Sequence, residues 1–136
     1  MIAVIKNFKE VIETRNIDRM NKELYEFLHL YCGFIAHYNI NGFKDTYRNP
    51  KDFAEIFIRH FDRNHPYFSQ IYACHQEPYK DTGLTKAQTK SEFERIVGLH
   101  KDQISRWARE EQRNERYGLY LKLKQEFEGG ETHDRI

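Results

Sequence analysis

The chain has 136 residues, with 22 basic and 21 acidic side chains and two cysteines. That length makes one domain with one core, and the near-cancelling charge excludes a protein that coats nucleic acid or membrane through a global field. Cys32 and Cys74 are too few for a secreted disulfide framework. With no leader pattern and no apolar span of about 20 residues, the expectation is a reduced, cytoplasmic protein with no membrane partner. Low mean hydropathy beside 15% aromatic residues predicts a core built from few, large side chains.

From the N-terminus, the apolar residues of Ile2 to Ile12 recur at helical spacing, although the first five also fit a strand. Asn16 reads as the N-cap of a long helix running to about Asn39, with Leu24, Phe27, Leu28, Tyr31, Phe34, Ile35 and Tyr38 on its apolar face and Asn41-Gly42 as its stop. Asn49-Pro50-Lys51-Asp52 restarts a helix with a cap, a proline at the first position and an acid in the first turn, and Phe53, Ile56, Phe57 and Phe61 follow. His65-Pro66 ends it and opens a short helix through Ile71 and Tyr72. Pro78 and Gly83 mark a loop. After it, Thr85-Lys86-Ala87-Gln88 and Thr89-Lys90-Ser91-Glu92 both have capping-box form. Arg109 to Arg116 lacks any apolar residue and predicts a solvated spacer. The alternation in Tyr117 to Leu123 allows a strand, while continuity with the preceding residues favours helix; an apolar segment beyond a polar spacer suits a dimerisation arm. Residues 1–127 are expected to form a single helical domain and 128–136 a flexible tail.

The stretch with the most specific pattern is Phe93-Glu94-Arg95-Ile96-Val97-Gly98-Leu99-His100-Lys101-Asp102-Gln103-Ile104-Ser105-Arg106-Trp107. Apolar residues five positions before the glycine, directly before and after it, and six and nine positions beyond it resemble the helix-turn-helix of repressor-like DNA-binding proteins, over about residues 85–109. The resemblance implies that Gly98 turns the chain between two helices while Leu99, Ile104 and Trp107 pin the second onto the first. It also implies that Lys101, Asp102, Gln103 and Arg106 face base edges of double-stranded DNA, with Arg109 and Arg95 on the backbone. Two residues depart from the pattern. Glu94 replaces a small residue between the helices and must reach solvent or a cation, and Asp102 repels phosphates.

Other readings rest on shorter signals. Arg59 and His65, with five residues between them, resemble the Arg-x(4–6)-His motif of HEPN-type ribonucleases, in which His65 would be the acid–base group, Arg59 would stabilise the phosphorane and His60 would fill the polar position. His29, Cys32 and His37 share one side of a helix and Cys74-His75 would complete a metal site, but paired ligand boxes are absent and no metal or other cofactor is expected. Nine tyrosines suit a protein-binding adaptor or inhibitor with an aromatic interface, with Tyr38, Tyr47, Tyr79, Tyr117 and Tyr120 as candidates for exposure. The expectation is therefore an all-α bundle with a helix-turn-helix corner, acting as a homodimeric DNA-binding regulator. The adaptor is the second reading, the ribonuclease the third, and no catalytic residue is assigned.

Overall fold

The structure is a computed structural model that describes residues 2–34, 39–61 and 76–134, with side chains as far as Phe127. Among the described residues there are five α-helices and no strand: α1 Ala3–Thr14, α2 Lys22–Tyr31, α3 Ile40–Tyr47, α4 Pro50–His60 and α5 Lys86–Asp134, with a 3-10 turn at Ile17–Arg19. The expected all-α class is what the chain adopts. The short helix expected after Pro66 lies outside the described residues.

The first residues are helix rather than strand, because Val4, Ile5, Phe8, Val11 and Ile12 form one buried stripe of α1. The single long helix expected from Asn16 is broken in two. Asn16 caps only the 3-10 turn, its side chain accepting from the Asp18 N–H, and Asn21 caps α2 by accepting from the Leu24 N–H at 3.0 Å. The break is held to α1 by Asn7, a buried amide that donates to the Arg19 carbonyl at 2.9 Å and accepts from the Asn21 N–H at 3.0 Å. Helix α2 stops at Cys32, ahead of the left-handed Gly33 at φ 73°. Asn41-Gly42, expected to stop a helix, instead lie in the first turn of α3, since the Asn39 side chain caps that turn by accepting from the Gly42 N–H. The Asn49-Pro50 restart forms as expected, with the Asn49 side chain accepting from the Lys51 N–H.

Eight phenylalanines fill the core. Phe93 of α5 stacks on Phe8 of α1 at 4.1 Å and meets Phe27 of α2 edge-on at 5.2 Å, while Phe53 and Phe57 of α4 pack on each other at 4.6 Å. Helix α5 packs chiefly on α4 and α1. Its start is tied down twice. Residues 77–85 fold back as a clasp, with the Tyr79 N–H donating to the Leu84 carbonyl and the Tyr79 hydroxyl donating to Glu23 of α2 at 2.9 Å. A reciprocal capping box then opens the helix: the Gln88 N–H donates to the Thr85 hydroxyl at 3.0 Å, and the Gln88 side chain accepts from the Thr85 N–H at 2.9 Å.

The turn expected at Gly98 is not there. Lys86–Asp134 is one helix of 49 residues, and Gly98 sits exposed in its interior without a left-handed φ, in a position where an added Cβ would meet nothing within 4 Å. The reason lies in the phase of the flanking residues. Phe93, Val97, Ile104 and Ala108 fall on one side of an unbroken 3.6-residue helix, so one straight element buries all four against the body. Leu99, expected to pin a second helix, is 67% exposed, whereas Ile104 is buried and Trp107 packs edge-on against Phe53 at 5.6 Å. Glu94 is buried one turn from Lys90, and the two side chains attract each other electrostatically. Burial lowers the Lys90 ammonium pKa, and Cys32 and Glu94 oppose that shift.

Candidate interaction surface

The outstanding surface feature is the far half of α5. Contact with the body fades at Glu111 and Gln112, which are half-buried, and from Arg113 to Phe127 every residue is exposed. At about 1.5 Å per residue this free segment extends about 20 Å beyond the body. It carries six large apolar side chains: Tyr117, Leu119, Tyr120, Leu121, Leu123 and Phe127, the last 70% exposed. Leu119, Leu123 and Phe127 follow each other at four-residue steps and make one continuous strip, and the rings of Tyr117 and Tyr120 stack at 6.4 Å beside it. A helix whose apolar strip faces only water gains nothing from tertiary burial, which is where most helical stability in proteins arises.

The same element carries a basic edge. Arg106, Arg109, Arg113 and Arg116 are exposed at spacings of three, four and three residues, which places them in a row along one face. Arg95 lies on that face further back and donates to Glu92 at 3.0 and 3.2 Å. Of the other residues singled out by the sequence for DNA contact, Asp102 is in line with the row, while Lys101 and Gln103 project about 100° to either side of it. All three are exposed at mid-helix. Sequence reasoning named Arg95, Arg106 and Arg109 but missed Arg113 and Arg116; the signal was the same three-four spacing, hidden by reading the segment as a spacer. At the root of the free segment, Arg109 shares a shallow groove between α4 and α5 with Lys51, Arg59 and Glu55.

Other candidate groups are placed differently. Tyr47 and Tyr79 are buried in the core rather than exposed, and Tyr38 lies outside the described residues. Arg59 is exposed at the end of α4, but its expected partner His65 lies outside the described residues. His60 is half-buried against Phe34, its Nδ1 3.0 Å from the Ile56 carbonyl and its Nε2 3.3 Å from that of Gly33; burial, above all, lowers its pKa. Cys32 is fully buried in the core, and burial pushes its thiol up to about 12. His37, Cys74 and His75 lie outside the described residues, among which no group of three metal-ligating side chains occurs. No described helix is long and apolar enough to cross a membrane. No family model matches the chain, and neither does any curated protein or solved structure.

Proposed function

We propose that the protein is a non-catalytic helical interaction module, a compact body that holds out α5 as a docking arm, with a second copy of the chain as the partner. The observation that carries this reading is the exposed strip Leu119, Leu123 and Phe127 on a helix rooted in the core through Phe93, Val97 and Ile104. Two such arms lying antiparallel about a two-fold axis at Leu123 place Leu119 of each against Phe127 of the other, the self-complementary arrangement that an isologous interface requires. A repressor-like mode of reading DNA calls for a recognition helix that begins at a turn. Here Lys101, Asp102 and Gln103 lie within the continuous helix, which is why docking by the arm is the better-supported reading.

Light scattering at tens of micromolar, the range of weak dimers, is expected to give a dimer for the full chain and a monomer for the Leu119→Ser/Leu123→Ser/Phe127→Ser variant. Circular dichroism at a concentration that keeps both chains monomeric is expected to show the same melting of the body for the two. A full-length chain that is monomeric throughout that range contradicts the proposal.

A further inference from the structure

The row Arg106, Arg109, Arg113 and Arg116 is costly as it stands. Each arginine neighbours the next at i+3 or i+4, and like charges at those spacings oppose helix formation. The acids of the same segment do not relieve it. Glu111 and Glu115 lie on the opposite side of the helix, and Glu110, within reach of Arg106 and Arg113, pairs with neither; among the described residues none of the four arginines makes an ion pair. A helix selected only for solubility interleaves the two signs instead. Charges segregated in this way are complementary to a linear polyanion laid along the helix.

Two further observations define that polyanion. Successive arginines climb about 4.5–6 Å along the axis, a repeat that suits one chain of phosphates, and the guanidinium fork is the group best matched to phosphate oxygens. One turn beyond the last two arginines come exposed aromatic rings: Tyr117 follows Arg113 at i+4 and Tyr120 follows Arg116 at i+4, each more than half exposed. Phosphate contacts followed by aromatic faces are the components of single-strand recognition, in which unpaired bases stack on rings while the backbone is neutralised. An acidic protein would use the arginines and leave the rings without a role. A duplex would keep its bases away from them.

We propose that this face of α5 binds single-stranded nucleic acid, with Arg106, Arg109, Arg113 and Arg116 on consecutive phosphates and Tyr117 and Tyr120 stacking on bases. The balanced charge of the whole chain makes the attraction local to this face. The site borders the docking strip, since Arg116 stands three residues before Leu119 and Tyr120 three before Leu123, but Leu119, Leu123 and Phe127 themselves belong to neither set.

The test is fluorescence anisotropy of the full chain with a labelled oligothymidine and a matched duplex, at 50 and 200 mM salt, with helix content followed by circular dichroism. Four phosphate contacts to a single strand predict a log–log salt slope of about −2.8 and hence an affinity loss of about 50-fold across that range. Arg113→Gln/Arg116→Gln is expected to halve the slope to about −1.4. Tyr117→Ala and Tyr120→Ala are each expected to weaken the single strand about fivefold or more with the slope unchanged, and Leu119→Ser/Leu123→Ser/Phe127→Ser to leave binding intact. No binding at 50 mM salt, an arginine variant with the original slope, a duplex bound more tightly than the single strand, or a polyglutamate peptide that outcompetes the oligonucleotide would each overturn the proposal.

Discussion

Phe93 and Phe127 are the same residue on the same helix, and they live in opposite environments. Phe93 is fully buried, stacked on Phe8 and set edge-on to Phe27, whereas Phe127 is 70% exposed. Side-chain chemistry and helix propensity are identical at the two sites, so the difference comes from register and reach. The face that carries Phe93 and Ile104 is served by α1, α2 and α4; Leu123 and Phe127 lie roughly 100° or more round the helix from it, beyond the end of the body. They cannot fold back onto that core without breaking α5. One half of the helix is therefore held by the fold and the other half is held out by it.

The sharpest way to break this comparison is to truncate each ring. Phe93→Ala is expected to cost about 3–5 kcal/mol, because it removes a ring packed against three others and leaves a cavity. At a protein concentration low enough to keep the chain monomeric, Phe127→Ala is expected to change stability by less than about 0.5 kcal/mol. Urea denaturation of the two variants checks both, and a comparable cost at Phe127 would show that the arm is packed on the body. Between these extremes lies the cap that anchors the buried half. Thr85→Ala removes the acceptor for the Gln88 N–H, with an expected loss of about 1 kcal/mol in the same assay. A Thr85→Ala protein as stable as the parent would mean that the clasp of residues 77–85, rather than the cap, fixes the start of α5.

Much of the buried half was legible in the sequence. The period of Val4 to Ile12, the Asn49-Pro50 start and the Thr85–Gln88 box all rest on local chemistry: the start formed as read, helix prevailed over the strand also open to the first residues, and of the two capping boxes it is the Thr85 one that forms. The break between Asn16 and Asn21 was not legible, because the group that stabilises it, Asn7, lies a helix away in sequence. The same limit explains Tyr47 and Tyr79. Both stand beside polar residues in the chain, yet they pack into the core through Phe43 and Phe27 respectively. At Gly98 two local rules conflicted. A glycine flanked by apolar residues reads as a corner, but Phe93, Val97, Ile104 and Ala108 remain in phase across it, and burial of all four by one straight helix outweighs the roughly 1 kcal/mol that a mid-helix glycine costs. The arginine row became visible only once that continuity was accepted.

A single exposed position tests the central claim, that α5 passes unbroken through Gly98 and so fixes the arm to the body. Gly98 is exposed, has no left-handed φ and leaves open space where a Cβ would stand. In a continuous helix Gly98→Ala replaces a poor helix former with the best one, and is predicted to raise stability by about 0.5–1 kcal/mol. At a corner that needs glycine in the left-handed region, the same substitution would be strained and would lower stability. A urea midpoint that moves up for Gly98→Ala supports the unbroken helix and the arm it carries; a midpoint that moves down would contradict both.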